Sequence, residues 1–191
     1  LAVALLHALE SEPGQPVAIP PVPGVGPRLQ DLLVDGPVDV TMHTGFDFWL
    51  DEGATDDPEV AASLERANGS LYPTARIGAA KACYWTQVPE KAHVRWVLPD
   101  DEDRALDALS RLGAGGDLLL GDRTRFAGMF RACGLLVPVW DVPRETPAAE
   151  WEAPVADLAK RYADALAVTE PLTSAERRTR QGLLGRQVTL R

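Results

Sequence analysis

The chain has few of the residues on which disulfide-bonded and membrane proteins depend. Its 191 residues include two cysteines, three histidines and three lysines (Lys81, Lys91 and Lys160), and aromatic residues make up 6% of the sequence. One cysteine pair does not form a disulfide framework, so we expect Cys83 and Cys133 to be buried free thiols in a reducing cytoplasm. No apolar run approaches the roughly 18 residues that a membrane-spanning helix needs, which excludes a membrane partner.

Catalytic signatures are also missing from the sequence. There is no GxSxG elbow, no Gly-Lys-Ser/Thr phosphate loop, and no HExxH or CxxC metal motif. The acidic runs at 56–59 and 100–103 are explained as caps and first-turn carboxylates of helices rather than as paired catalytic acids. We therefore expect no catalytic residues, no cofactor and no bound metal.

Acidic residues are in excess, since the formal net charge is −9. The charge is uneven, because residues 171–191 contain five arginines and one glutamate. An acidic body is a poor non-specific binder of nucleic acid or anionic lipid, although the basic end could bind either. With 46% hydrophobic and 25% charged residues, the composition is typical of a soluble globular domain.

Hydrophobic patterning predicts the organisation of the chain. Residues 1–27 are interpreted as the remnant of a helix followed by a stiff connector rich in proline and glycine. Residues 28–191 are predicted to form one α+β domain, in which residues 148–191 are a helical cover. The expected fold is a mixed, mostly antiparallel sheet with helices packed mainly on one face.

Local patterns predict the individual elements. Alternating or short apolar runs predict strands over 37–42, 46–50, 71–77, 82–87, 93–98, 117–120, 135–140 and 187–190. Helical spacing and capping residues predict helices over 1–10, 28–34, 58–67, 99–112, 126–132, 148–168 and 173–184. The turn at 88–91 predicts a hairpin, and Pro138 favours an edge or bulge position for its strand.

One candidate binding site is the run GDRTRFAG. Arg123 and Arg125 flank the predicted start of the helix at 126–132, and arginines beside free backbone N–H groups are suited to anions. The alternative is a polar loop in which both arginines pair with the acidic body.

The second candidate is a pair of tryptophans. Trp85 and Trp96 are predicted to lie opposite each other, or nearly so, across the hairpin. If they are exposed, they form a stacking platform for a base, a sugar or a peptide; if they are buried, they belong to the core.

Several long runs resemble one uncharacterised family from actinobacteria, the high-GC Gram-positive bacteria. These runs are PEVAASLERANGSLYPT, KAHVRW, DEDRALDALSRL, TRFAGMFRACGLLVPVWDVP and LTSAERRTRQGLLGRQVTLR. The family is a domain of unknown function, and its members sometimes carry automatic labels such as topoisomerase II or preprotein translocase SecA. The resemblance spans essentially the whole chain, which corresponds to the C-terminal two-thirds of longer relatives with a Lys/Arg-rich N-terminal tail. It implies no catalytic residues, and no ATP motif or Cys/His zinc cluster supports the labels.

Two main functional hypotheses follow, beside a third possibility: an inert remnant domain that serves only oligomerisation and predicts a large apolar surface patch. The first is a non-enzymatic cytoplasmic binding or accessory module, whose partner is a protein or RNA, including the ribosome, and which predicts an exposed patch with aromatics or arginines. The second is an enzyme of unrecognised type that acts on an anionic small molecule, with Arg123 and Arg125 as clamps. It predicts a deep pocket in which these arginines lie beside a buried carboxylate or histidine.

Overall fold

The computed structural model describes residues 1–18, 21, 24–34, 36 and 38–186. The chain divides into two compact units, Leu1–Thr41 and Met42–Arg191. In the first unit, helix α1 spans Ala2–Leu9 and helix α2 spans Leu29–Leu32, both inside predicted helices. The expectation of a single domain from residue 28 onward stays a prediction.

The second unit contains a sheet and four helices within its described residues. Its helices are α3 (Pro58–Gly69), α4 (Glu102–Gly115), α5 (Glu152–Ala167) and α6 (Ser174–Leu184). Its strands are β1 (Thr74–Ile77), β2 (Cys83–Gln87), β3 (Ala92–Trp96), β4 (Arg125–Ala132) and β5 (Leu135–Val142). Short 3₁₀ turns lie at Asp47–Trp49, Ala54–Asp56 and Ala148–Trp151.

The five strands form one sheet in the order β1-β2-β3-β5-β4. Every neighbouring pair of these strands is antiparallel. The α+β class predicted from the sequence is confirmed, and the expected mixture of strand directions is replaced by an antiparallel ladder. Strands β1 and β4 are the two edges, so β5 lies inside the sheet and is buried on both faces.

The predicted hairpin between β2 and β3 is confirmed. The backbone N–H of Val88 donates to the carbonyl of Lys91 at 2.8 Å, which closes the turn. The register then pairs Gln87 with Ala92 and Trp85 with Val94. The turn residues and the alternation of apolar and polar residues therefore predict this hairpin correctly.

The helix predicted over 126–132 is wrong, because this segment is strand β4. Its apolar residues are spaced as in a helix, but the chain reverses through a two-residue loop and pairs it with β5. Cys133 and Gly134 form that loop with φ of 51° and 81°, the backbone that short hairpin loops require. Cys133 is exposed there, which corrects its expected burial, whereas Cys83 is buried.

Other predicted strands are absent from the described residues. The segments 38–42 and 117–120 form no strand, and 46–50 contains a 3₁₀ turn instead. The prediction that Pro138 marks an edge or a bulge is also not met, because β5 lies inside the sheet and the register shift between β4 and β5 lies opposite Trp140 and Val139. The β3–β5 ladder ends at the pair Arg95 and Val139, so Pro138 lies just past it and its missing N–H breaks no bond to β3. The strand predicted over 187–190 lies outside the described residues.

One face of the sheet packs against α4, α5 and α6 to form the core. The buried sheet residues on this face include Cys83, Trp85, Val94, Trp96 and Trp140. The buried helix residues facing them include Leu106, Leu109, Val155, Leu158, Tyr162 and Leu183. Trp140 is fully buried, and its indole N–H donates to the carbonyl of Leu118 at 2.7 Å.

Capping and ion pairs hold the helices on this core. The Asp101 carboxylate caps α4 by accepting the N–H of Asp103 at 3.1 Å and that of Arg104 at 3.2 Å. Arg180 of α6 contacts the carboxylates of Asp103 at 2.6 Å and Asp107 at 2.9 Å on α4. Gly113 allows the close approach of these two helices, since a Cβ there would lie 2.8 Å from Thr179 Cγ2.

Candidate functional site

The stretch from Met42 to Pro73 is built differently from the rest of the second unit. The structure describes every residue in it, and none of them is buried. It nevertheless contains a twelve-residue amphipathic helix, α3, and several large apolar side chains. Apolar surface that a chain leaves uncovered is typical of an interaction site.

A groove lies between α3 and the turn that precedes it. Val60, Leu64 and Ala67 are spaced for one face of α3 and line one wall, while Phe46, Trp49 and Leu50 line the other. The cavity has a volume of about 380 Å³. Ser63 is the one polar side chain in its lining, so the groove is suited to an apolar side chain of a partner.

Asn68 fixes the aromatic wall to the helix. Its side-chain oxygen accepts the backbone N–H of Phe46 at 2.8 Å, and its side-chain amide donates to the Asp47 carboxylate at 3.4 Å. Gly45 gives these side chains room, because a Cβ there would displace the Asp47 carboxylate and lie 3.1 Å from the Asn68 amide. At the other end of α3, the Asp57 carboxylate caps the helix by accepting the N–H of Glu59 at 2.8 Å.

The aromatic side chains of this turn contact one another and remain open to solvent. The ring of Trp49 lies 5.3 Å from the rings of both Phe46 and Phe48, and His43 stacks on Phe48 at 3.8 Å. Trp49 is 73% exposed and Phe48 is 49% exposed. Rigid, partly exposed aromatics of this kind are the side chains that most often dominate the free energy of protein association.

The segment that forms the groove is rich in exposed acidic side chains. Residues 42–73 contain seven carboxylates and a single basic residue, Arg66. All seven are exposed: Asp47, Asp51, Glu52, Asp56, Asp57, Glu59 and Glu65. This segment therefore has an excess of negative charge, which attracts cations and repels phosphate.

The structure places the two arginines predicted from the sequence on a loop and an edge strand, with no helix start between them. Arg123 lies 3.6 Å from the Glu145 carboxylate, and both side chains are 74% exposed. Arg125 begins β4 and pairs with Asp141. Arg125 also lines a cavity of about 460 Å³ with Phe126 and Arg186. Both arginines thus have acidic partners, the alternative left open by the sequence.

The sequence patterns do not single out Asp141, although it lies at the centre of a charged cluster on the sheet face opposite the helices. Its carboxylate accepts from Lys91 Nζ at 3.1 Å and from Arg125. His93 Nδ1 lies 3.0 Å from the other carboxylate oxygen, but neither of these two atoms completes a hydrogen bond. The strand register that brings these residues together could not be read from local sequence.

Burial and charge act against each other on the pKa values in this cluster. Burial raises the pKa of Asp141, but the hydrogen bonds from Arg125 and Lys91 outweigh it and hold that pKa below its ordinary value. Burial also lowers the pKa of His93, more than the nearby Asp141 carboxylate raises it. At neutral pH the cluster therefore contains an ionised carboxylate, two cations and a neutral imidazole.

The two tryptophans predicted to face each other lie two positions apart in register. Trp85 pairs with Val94, while Trp96 pairs with Cys83. Both lie on the helix-covered face and are buried, at 9% and 7% exposure. Trp85 and Trp96 therefore belong to the core and do not form a stacking platform. The indole N–H of Trp96 donates to the Lys81 carbonyl at 3.1 Å.

The described part of the chain offers neither a metal site nor a membrane span. No group of three or more histidine, cysteine or acidic side chains there is placed to hold a metal ion. Within the same residues, every helix is too short or too polar to cross a membrane.

Comparison with known proteins identifies a family but no activity. The model of a family of unknown function, DUF5926, matches residues 1–191, and the chain belongs to this family. No curated protein and no solved structure matches the chain significantly. These comparisons therefore assign no activity to the chain.

Proposed function

We propose that this member of the DUF5926 family is a protein-binding module whose groove takes a basic segment of a partner protein. The segment carries a large apolar side chain, which enters the groove between Trp49 and Leu64, and flanking lysines or arginines. The exposed Trp49 beside an open apolar groove is the observation that supports this proposal most strongly.

Apolar and electrostatic features of the groove select the same class of partner. Covering Trp49, Phe48 and the half-exposed face of α3 removes apolar surface from water, at roughly 25 cal/mol for each Å². The seven exposed carboxylates then attract the flanking cations of the partner and speed its association.

The charge pattern also separates a protein partner from RNA. Exposed aromatics alone could stack on bases, as they do in single-strand binding proteins. Those proteins place their aromatics in a basic groove, because each phosphate needs a compensating cation. Here Arg66 is the single basic residue among residues 42–73, so an RNA strand would be repelled.

Fluorescence provides a direct test. Trp49 is exposed, whereas Trp85, Trp96, Trp140 and Trp151 are all buried, so the long-wavelength part of the emission reports on the groove. Addition of a short amphipathic peptide of leucine and lysine should shift this emission to shorter wavelength. A version with serine in place of leucine keeps the charge, and a version with glutamate in place of lysine reverses it.

The same three peptides, labelled for anisotropy, test the specificity. The Leu/Lys peptide should bind wild type at least tenfold more tightly than either control peptide. Trp49→Ala should weaken it about tenfold, and Trp49→Phe should recover most of the loss. Equal binding of the Ser/Lys peptide, or equal binding by Trp49→Ala, would contradict the proposal. A single-stranded RNA that binds more tightly than the peptide would do the same.

A further inference from the structure

A second surface carries the opposite charge, on the sheet face that the core helices do not cover. Residues paired directly across antiparallel strands project from the same face. The register pairs Arg76 of β1 with Tyr84 of β2, and Tyr84 with Arg95 of β3. Two arginines therefore flank one tyrosine in a row across the sheet, with neighbouring strands about 4.8 Å apart.

The arginines of this row have no acidic partner among the described residues. Neither Arg76 nor Arg95 forms an ion pair or a side-chain hydrogen bond there, although other arginines of the second unit pair repeatedly with carboxylates. Arg76 is exposed, and Arg95 is half-buried. In a chain with a net charge of −9, two arginines on either side of one tyrosine would be expected to pair with carboxylates.

Arg95 is the more informative of the two. Its Nε atom is buried and has no hydrogen-bond partner. Burial lowers the pKa of this guanidinium, and no carboxylate offsets the effect. A buried cationic donor without an acceptor is costly, so such a group is normally paired. An oxyanion ligand would supply the acceptor that the described residues do not offer this guanidinium.

We propose that Arg76, Tyr84 and Arg95 form a binding site for the phosphate group of a small molecule. A guanidinium presents a planar fork that matches phosphate oxygens, and two forks match its double charge. Tyr84, half-buried between them, supplies a ring and a hydroxyl group for the remainder of the ligand. This site is separate from the groove at Trp49 and does not depend on the function proposed for that groove.

The neighbouring row contains a carboxylate that pairs with other cations. It consists of Thr74, Thr86, His93, Asp141 and Arg125. Asp141 already accepts from Lys91 and Arg125, so its charge is neutralised. The hydroxyl of Thr74 donates to the Tyr72 carbonyl at 3.0 Å, and its oxygen lies 3.3 Å from the Thr86 hydroxyl, so two hydroxyl groups lie at the border of the arginine row.

Thermal unfolding with inorganic phosphate as the probe tests the site. Phosphate at ten times its dissociation constant should raise the Tm of wild type by about 3 °C relative to chloride at equal ionic strength. Arg95→Met should abolish this rise. Without phosphate, Arg95→Met should unfold at the same temperature as wild type or higher, because it removes an uncompensated buried charge.

Matched variants distinguish a site from a general salt effect. Arg178 is an exposed arginine of α6, and Arg178→Gln should keep the full phosphate-induced rise. Arg76→Gln should lose part of it, and Arg95→Lys should lose most of it, because a lysine lacks the planar fork. A nucleoside monophosphate that gives a larger rise than phosphate would support contact with Tyr84.

Two results would overturn the proposal. The first is an equal phosphate-induced rise in wild type and Arg95→Met, since phosphate also stabilises proteins by exclusion from their surfaces. The second is a strong loss of stability in phosphate-free Arg95→Met together with an unchanged response of Arg95→Lys, which would make Arg95 a structural residue.

Discussion

Two tryptophans of the second unit show that its two regions differ in how much apolar surface they bury. Trp140 is fully buried between the sheet and the helices, and its N–H is satisfied by the carbonyl of Leu118. Trp49 lies on a turn that a hydrogen bond from Phe46 to Asn68 joins to α3, and 73% of the Trp49 side chain is exposed. The region of β1–β5 and α4–α6 therefore contains the buried core, while residues 42–73 leave large apolar side chains exposed, as the proposed binding groove requires.

Truncation of these two tryptophans should produce the largest difference. Trp140→Ala removes a fully buried side chain and should cost about 3–5 kcal/mol of the free energy of unfolding. Trp49→Ala removes an exposed one and should change it by less than about 0.5 kcal/mol. Urea unfolding of both variants measures the two values. Comparable losses would mean that residues 42–73 belong to the same cooperative core.

Asp141 should give an intermediate, pH-dependent effect. Its pKa in the folded state is lowered, so its contribution is present above the unfolded value of about 3.9 and is lost as the pH falls through the folded value. Asp141→Asn should therefore cost about 1–2 kcal/mol at pH 7, and the difference from wild type should narrow below pH 4.

The control for Asp141 is an exposed aspartate in a comparable ion pair. Asp157 lies 3.1 Å from Arg161 on α5 and is 69% exposed. Asp157→Asn should change the free energy of unfolding little at any pH. If Asp157→Asn and Asp141→Asn have the same pH profile, the cluster around Asp141 has no special role in stability.

Asn68 should show a modest effect on stability and a clear effect on binding. Asn68→Ala removes the acceptor for the Phe46 N–H and should cost about 1 kcal/mol, confined to residues 42–73. Because the aromatic wall is then free to move, binding of the Leu/Lys peptide should weaken several-fold. Unchanged peptide affinity in Asn68→Ala would show that the wall needs no fixed position.

The sequence predicts those elements whose signals are local. The β2–β3 hairpin is recognisable because its turn residues lie between two alternating runs, and α3 because Asp57 and Pro58 mark its start. Strand β4 was predicted as a helix because Phe126, Met129 and Phe130 have helical spacing, and only pairing with β5 decides otherwise. The two-residue loop at Cys133 was the sequence signal that could have corrected it.

The candidate sites were less predictable, because they depend on register and on what remains uncovered. A shift of two residues moves Trp96 from opposite Trp85 to opposite Cys83. The alternation of FDFWL predicted a strand, but the segment has no strand partner, and Asn68 holds it in a turn beside α3 instead. The row of Arg76, Tyr84 and Arg95 joins three strands, which no single run of sequence reveals.

Hydrogen exchange of the chain with and without the Leu/Lys peptide tests the central claim most directly. Without peptide, amides of residues 46–69 should exchange through low-energy local opening, while those of β5 and α4 should exchange only through global unfolding. Peptide binding should slow exchange in residues 46–69 and leave the amides of β1 unchanged. Protection that arises on the sheet, or no change within residues 46–69, would contradict the account.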